Sequence, residues 1–205
     1  MADAARRMFD VAFATIILIA GAPLLLFAIA LIRLESPGPS IFRQTRMGKG
    51  GENFTIYKLR GMFVDAPERF PDLYAYGPGD VSDKNYGYVF HTGVDPRVTR
   101  IGRVLRKFSI DELPNFVNVI RGDMSVVGPR PEIPDVAHLY DGDLTTVLSV
   151  RPGVTSPAKA GGRDGLSFEE TLQADLDYVH NRSFWLDVKT ICRTAVGAIY
   201  GRNAS

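Results

Sequence analysis

The run VAFATIILIAGAPLLLFAIALI occupies Val11–Ile32 and contains no charged residue. It is about as long as the roughly 20 apolar residues that a helix needs to cross a bilayer, and longer than the apolar core of a secretory signal. The run therefore predicts a membrane helix. Ala22 and Pro23 interrupt it near the middle. Because proline has no N–H to donate to the carbonyl of Ile19, we predict a bend there.

Basic residues flank this run on both sides. Arg6 and Arg7 precede it, and Arg33 and Arg43 follow it. Positive charge marks the cytoplasmic side of a membrane helix, so these flanks do not select one orientation. From charge alone, two geometries stay open: a kinked helix that crosses the membrane once, and a helix that breaks near Pro23 and returns to the same face.

The composition limits what the rest of the chain can be. A length of 205 residues suits one domain plus a membrane anchor. The 24 basic and 23 acidic side chains nearly balance, which argues against a nucleic-acid binder. A single cysteine, Cys192, excludes an internal disulfide and a cysteine-based zinc site. Its apolar surroundings in the sequence predict a packed, inert thiol.

A hairpin is predicted directly after the membrane segment. Glu35–Ser40 is rich in turn residues and ends the first helix. Residues 41–44 and 54–59 have the composition of short strands. Lys58 and Arg60 occupy alternate positions, so they are expected on one face of the second strand. That pair could meet a phosphate group or form a solvated face.

The remaining segments read as one long loop and several helices. The loop covers 61–100 and is rich in Pro, Gly, Asp and Tyr, which is typical of functional or poorly ordered segments. In the last predicted helix an apolar stripe could face the core or a membrane interface. We predict helices from Thr99 or Arg100 to Lys107, from Asn115 to Arg121 with Gly122 as its end, from the capping box Ser167–Glu170 to Asn181, and from Phe184 to Tyr200.

Two adjacent carboxylates, Asp111 and Glu112, lie in the stretch Lys107–Pro114. One interpretation is helix capping, because Ser109 and Glu112 have the spacing of a capping box. Pro114 favours another, since proline is well tolerated as the first residue of a helix and would place the acids just before it. A carboxylate there could act as a nucleophile on phosphorus, with Mg²⁺ as the usual partner of carboxylate and phosphate oxygens.

A continuous pattern around this pair, from Arg106 to Pro131, is far more specific than a lone Asp-Glu pair. Shorter patterns extend over nearly the whole chain. The segments are Phe42–Gln44, Tyr57–Arg60, Asp95–Thr99, Arg106–Pro114, Asn118–Ser125, Gly128–Pro131, Arg151–Thr155 and Leu176–Tyr178. In composition and order these segments resemble those of the bacterial sugar transferase family, the monotopic phosphoglycosyl transferases.

The resemblance implies a reaction. Such enzymes move a phospho-sugar from a UDP-sugar to a polyprenyl phosphate, usually undecaprenyl phosphate, and release UMP in the first membrane step of glycan assembly. The mechanism it implies is ping-pong, with a covalent phosphosugar on Asp111. Glu112 is then its catalytic partner, and both acids are implied at the Mg²⁺ site. The substrate-binding residues implied are Lys58, Arg106, Arg130 and Arg151.

The resemblance also implies an architecture. The expected fold is α/β, mostly helical with short strands and with amphipathic helices at the membrane interface. Residues 1–36 would form a re-entrant membrane helix with its break near Ala22–Pro23, and 37–205 a compact catalytic domain on the cytoplasmic face of the bacterial inner membrane. The expected partners are the UDP-sugar, the polyprenyl phosphate and the lipid bilayer, with no nucleic acid. The oligomeric state stays open, with a homodimer among the options.

Two segments depart from the family pattern. Ala22 stands where the family often has serine, and Ser156–Ala160 replaces a run that commonly carries glycine followed by a Trp-Gln pair. The residues in these two segments do not identify the donor sugar. Three other readings of the whole chain stay open: an inactive membrane-anchored scaffold, a basic module that binds the membrane surface, and an enzyme that uses Asp111 as a general base.

Overall fold

The computed structural model describes residues 2–73, 95–140, 142–161 and 166–200. The predicted loop over 61–100 is described only at its two ends, because residues 74–94 lie outside these ranges. Within them the chain is mostly helical with short strands, as predicted.

The helices are α1 (Ala2–Glu35), α2 (Ala66–Arg69), α3 (Arg100–Lys107), α4 (Phe116–Arg121), α5 (Leu144–Val147), α6 (Pro157–Ala160), α7 (Phe168–Asn181) and α8 (Phe184–Ile199). The strands are β1 (Ile41–Met47), β2 (Asn53–Leu59), β3 (Ser125–Val127) and β4 (Gly153–Thr155), and short 3₁₀-helices occupy Lys49–Gly51, Pro71–Leu73, Ile110–Asn115 and Pro134–Tyr140.

The strands form two small sheets. β1 and β2 are antiparallel, with Ile41 opposite Leu59 and Met47 opposite Asn53, so the predicted hairpin is confirmed. β3 and β4 pair in parallel. Gly153 allows this second pairing, because a Cβ atom there would overlap the backbone of Gly128. The two sheets bring the loop after β3 and the segment after β4 toward β2.

The membrane candidate α1 is continuous from Ala2 to Glu35. Among the described residues, one helix is long and apolar enough to cross a membrane, and that helix is α1. The predicted break of the helix at Ala22–Pro23 is not present, because the chain stays helical through Pro23 and lacks only one hydrogen bond at that point. Its outward face is strongly apolar and exposed, with Ile19 at 71% and Phe27 at 62% exposure. Such a face is suited to lipid rather than water.

Both ends of α1 contact the same globular part of the chain. Near the start, Arg7 donates hydrogen bonds to the carbonyls of Val119 and Ile120 in α4. Near the end, the Arg60 guanidinium donates to the carbonyl of Ser36 at 2.8 Å and to that of Ile32 at 3.4 Å. Neither interpretation offered for Arg60 is right. Arg60 is buried rather than solvated, and its guanidinium binds backbone carbonyls at the end of α1 rather than lying open to a phosphate.

The buried residues form hydrophobic clusters, and two of these clusters include residues of α1. Ala14 packs in a cluster with Val119, Met124 and Tyr178. Ala28 and Ile32 pack in a second cluster, together with Leu59 and Leu105. Burying these side chains joins the inner face of α1 to β2, α3 and α4. A third cluster, built by Val136, Tyr140 and Val147, lies against α7.

The two last helices begin and end almost where the sequence predicts. α7 starts at the predicted capping box, in which Ser167 and Glu170 bond each other's backbone N–H groups. The apolar stripe of α8 is only partly packed, since Trp185 is 77% exposed and Ile199 is 73% exposed. Cys192 is exposed, so the prediction of a packed thiol was wrong. Helical periodicity placed it on the stripe, but that side of the helix is largely uncovered.

Candidate active site

Asp111 and Glu112 lie in the 3₁₀-helix Ile110–Asn115, here called the acidic turn. It follows Ser109, whose φ of 54° is in the left-handed region that costs a non-glycine residue energy. The Ser109 side chain does not cap the turn, which removes the capping-box interpretation. Pro114 lies inside the turn, and α4 begins at Phe116, so Pro114 does not open that helix as predicted.

Two asparagine side chains, one in the acidic turn and one in the adjoining helix α4, connect this part of the chain to strand β2. The Asn115 carboxamide oxygen accepts the backbone N–H of Tyr57 at 3.0 Å. The Asn118 side chain donates to the carbonyl of Thr55 at 2.9 Å. Both asparagines are buried, so these bonds satisfy the backbone groups of β2 that its pairing with β1 leaves free. The turn is therefore held at a fixed distance from Lys58.

Glu112 is bound by two lysines. The Lys58 ammonium lies 3.1 Å from its Oε1 atom, and the Lys159 ammonium contacts Oε2. Burial by itself would raise the pKa of the Glu112 carboxyl, but Lys159 and Lys58 outweigh burial and hold that pKa well below its ordinary range. The carboxylate is therefore ionised at neutral pH. Lys58 was among the predicted site residues, whereas Lys159 was not.

Asp111 has a different environment from its neighbour. Its carboxylate makes no hydrogen bond or ion pair with the described residues, which leaves it available to a substrate. Burial raises the pKa of the Asp111 carboxyl, the Glu112 charge adds to this, and Lys58, Lys159 and Arg106 act in the opposite direction. The two adjacent acids thus differ, as adjacent residues on a helical turn should, because they face different directions.

Beside Glu112 lies a small cavity of about 50 Å³, here called the cationic cavity. Four basic side chains line it, and Glu112 is the acid among its lining residues. Such an excess of positive charge in a concave site favours an anionic ligand. The basic residues are Arg46, Lys58, Arg130 and Lys159.

Arg130 reaches this cavity from the loop after β3. Its side chain is 60% exposed and lies 3.7 Å from a carboxylate oxygen of Glu132. Its backbone N–H donates to the buried carboxylate of Asp175 at 3.2 Å. Burial raises the pKa of Asp175 to about 7. Asp175 was not among the predicted site residues, although an acid among apolar residues of a predicted helix was a usable signal.

The other two predicted arginines lie elsewhere. Arg106, in the last turn of α3, acts electrostatically on Asp111 rather than lining the cationic cavity. Arg151 donates to the carbonyl of Gly122 at 2.7 Å and does not line the cavity. Gly122 ends α4 in the left-handed conformation, as predicted. The structure therefore brings Lys58, Glu112 and Arg130 together, and gives Arg151 a role in holding the end of α4.

Comparison with known proteins finds several sugar transferases that are similar to this chain. The chain is 41% identical over 210 residues to the UDP-glucose:undecaprenyl-phosphate glucose-1-phosphate transferase of Caulobacter vibrioides, covering 98% of this chain and 72% of that protein. It is 38% identical over 201 residues to the galactosyl transferase CpsE of Streptococcus agalactiae, covering 98% of this chain and 43% of that protein. It is 34% identical over 190 residues to the undecaprenyl-phosphate galactose phosphotransferase of Salmonella typhimurium, covering 93% of this chain and 39% of that protein.

The chain thus spans less than half the length of two of these relatives. The family model of the bacterial sugar transferases matches residues 1–201, which is nearly the whole of this chain. That span includes α1, the acidic turn and the cationic cavity. The resemblance drawn from the motifs is confirmed, and the chain belongs to the bacterial sugar transferase family.

Proposed function

We propose that this chain transfers a sugar phosphate from a UDP-sugar to undecaprenyl phosphate, forming undecaprenyl-diphosphate sugar and releasing UMP. The observation that carries the proposal is the carboxylate of Asp111, which makes no ion pair with the described residues, lies within the electrostatic influence of Lys58 and Lys159, and adjoins Glu112 at the cationic cavity. The names of the relatives in Caulobacter and Salmonella describe transfer of a sugar phosphate to the same lipid phosphate, which supports this acceptor.

The proposed reaction has two steps. In the first, an Asp111 carboxylate oxygen attacks the β-phosphorus of the donor, and the bond from that phosphorus to the oxygen bridging the two phosphates breaks. UMP leaves with the bridging oxygen and its electron pair. In the second, a phosphate oxygen of undecaprenyl phosphate attacks the same phosphorus, and the acyl-phosphate bond breaks. The Asp111 carboxylate is regenerated, so one difficult transfer is divided into two easier ones.

The basic side chains have a clear use in this scheme. A diphosphate is repelled by the Asp111 carboxylate unless nearby cations offset its charge. Lys58 and Arg130 line the cationic cavity and would bind donor phosphate. Arg106 acts on Asp111 from the α3 side and would lower the cost of bringing two anions together. Arg151 supports the site indirectly in this proposal, through its bond to Gly122.

We propose Mg²⁺ as a partner of Asp111, because its carboxylate makes no hydrogen bond or ion pair with the described residues. Proteins often hold this ion through one or two carboxylates together with substrate phosphate oxygens. Within the described ranges, acids, histidines and cysteines form no group of three or more that could hold a metal. Both carboxylate oxygens of Glu112 already contact lysines, so we propose Asp111 as the ligand, with Glu112 beside it. When bound, the ion would offset phosphate charge.

We further propose that α1 enters and leaves the membrane on the cytoplasmic face of the bacterial inner membrane. A straight crossing would carry one end of the helix to the far side of the bilayer. Arg7 and Ser36, near the two ends, instead contact the same domain. Exposed apolar residues of α8, such as Trp185, would lie at the interface beside it.

Release of UMP tests the central proposal. The full chain in nanodiscs should release UMP from at least one UDP-sugar when undecaprenyl phosphate is present. Asp111→Asn should abolish release, whereas Asp143→Asn, at an exposed acid whose side chain makes no capping hydrogen bond at the start of α5, should preserve it. No release from a broad donor panel would sink the proposal and favour the scaffold or the binding module.

The two-step route has a separate test. Incubation with a UDP-sugar labelled on the sugar, without acceptor lipid, should leave label on the protein after denaturation. The label should be lost in Asp111→Asn. Turnover without any trapped label would favour Asp111 as a general base in a single displacement.

A further inference from the structure

Lys159 is held in place by its own short helix. Helix α6 follows β4 directly, and Pro157 occupies its first turn. The Ser156 hydroxyl accepts the backbone N–H of Lys159 at 3.2 Å, which caps the helix. Because β4 is paired with β3, the start of α6 is fixed relative to the loop that carries Arg130. The backbone of Lys159 is therefore held in a fixed position, from which its side chain contacts Glu112.

Glu112 sets the spacing between two ammonium groups. Lys58 contacts one of its carboxylate oxygens and Lys159 the other, from opposite parts of the chain. Two lysines brought to one site would repel each other without the carboxylate between them. Holding both before a ligand arrives removes part of the entropy cost of binding. Glu112 thus has the geometry of a residue that positions two phosphate-binding cations.

The residues that line the cationic cavity carry an excess of positive charge. Glu112 offsets part of the charge of Lys58 and Lys159. Glu132 lies 3.8 Å from Arg46 and 3.7 Å from Arg130, so it offsets part of theirs. Among the residues that line the cavity, four cations face one carboxylate, and such an excess of positive charge favours an anionic ligand such as a diphosphate.

We propose that Lys159 is a donor-binding residue of this chain, which acts with Lys58 to bind the diphosphate while Glu112 positions both ammonium groups. The proposal rests on the proposed function and deepens it. Lysine suits this task because its ammonium is a compact charge on a flexible stem and can move from a carboxylate to a phosphate oxygen. The Lys159 side chain is 22% exposed, so it is accessible from the cavity.

Binding of inorganic pyrophosphate tests the proposal without turnover. The full chain in nanodiscs would be titrated with pyrophosphate by calorimetry in EDTA, which removes any contribution of a metal. Lys159→Gln should weaken binding about 10-fold or more, because a charge-assisted hydrogen bond is lost. Lys159→Arg, which keeps the charge, should recover most of the affinity. Lys49→Gln, at an exposed lysine of the β1–β2 turn, should bind like the unaltered chain.

Kinetics provide the second readout. In a chain that turns over, Lys159→Gln should raise the KM for the UDP-sugar by more than it lowers kcat, and Lys159→Arg should largely restore the KM. Equal pyrophosphate affinity in the unaltered chain and Lys159→Gln would overturn the proposal, as would an unchanged KM. If no donor is turned over but pyrophosphate binding still depends on Lys159, the proposed function fails and the anion site stands.

Discussion

The Lys58 ammonium lies 3.1 Å from the Glu112 carboxylate, and the two residues are 54 positions apart in the chain. This contact joins the hairpin to the acidic turn. Lys159 contacts the other oxygen of the same carboxylate. Glu112 is therefore the residue through which β2, the acidic turn and α6 are connected electrostatically.

A double-mutant cycle should reveal this connection. Lys58→Met should lower the free energy of unfolding by about 1 kcal/mol, since Lys58 is partly exposed and Lys159 still pairs with Glu112. Glu112→Gln should cost more, on the order of 2 kcal/mol, because it leaves two lysines facing each other. The double variant should cost less than the two single changes added together. Denaturant unfolding in detergent micelles measures all three.

Additivity within about 0.3 kcal/mol would contradict the connection, because independent sites behave that way. Arg103→Met on the exposed face of α3 serves as a control. Paired with Glu112→Gln, it should be additive.

A second prediction concerns the pH dependence of stability. The pKa of Asp175 is raised to about 7 by burial, and Glu132 adds to the shift while the backbone N–H and charge of Arg130 oppose it. The native state therefore binds more protons than the unfolded state between about pH 4 and 7. The contribution of Asp175 to the free energy of unfolding should fall as pH rises through that window.

Asp175→Asn removes this ionisation and should flatten that part of the curve. The stability of the unaltered chain relative to the variant should decrease by roughly 1–3 kcal/mol from pH 4.5 to 7.5. Thermal unfolding in detergent micelles across this range would measure it. Parallel curves for the two proteins would show that Asp175 keeps an ordinary pKa. Asp143→Asn should run parallel to the unaltered chain.

The local elements were predictable because their signals are local. Apolar length marked α1, and Gly122 marked the end of α4. The capping box at Ser167 marked the start of α7. Each of these signals involves residues within a few positions of one another. The Asp-Glu pair and its neighbour Arg130 were likewise recognisable, because the family motif is continuous in sequence.

The contacts that build the site were not predictable, because they join distant segments. Lys159 reaches Glu112 across 47 positions, and only the pairing of β3 with β4 brings them together. Arg60 directly follows β2 and alternates with Lys58, yet it binds the end of α1 instead of an anion. Alternation predicts the face of a strand but not what covers that face.

A third prediction tests Arg60. Its guanidinium donates to the Ser36 hydroxyl and to the carbonyls of Ile32, Ser36 and Pro37. Arg60→Met should lower the free energy of unfolding by about 2 kcal/mol, since the buried Ser36 loses the donor to its carbonyl and to its hydroxyl. Arg60→Lys should recover less than half, because one ammonium cannot reproduce the planar fork of donors. Thermal unfolding in detergent micelles measures this, with Arg103→Met as the unaffected control.

The fourth prediction concerns the path of α1 through the membrane. Because Cys192 is exposed, it must first be replaced by serine so that it does not react. Single cysteines would then be placed at Ala4 and Leu34, two exposed positions near opposite ends of α1. A membrane-impermeant maleimide would be added either to intact spheroplasts or to inverted vesicles of the expressing bacterium.

If both ends of α1 lie on the cytoplasmic face, the cysteines at 4 and 34 should react in inverted vesicles and stay unreactive in spheroplasts. A straight helix that crosses once would expose one of them to spheroplast labelling. That crossing would also separate Arg7 from the carbonyls of Val119 and Ile120, or Arg60 from that of Ser36. Labelling of position 4 from outside alone would therefore rule out the re-entrant path together with the packing of α1 described above.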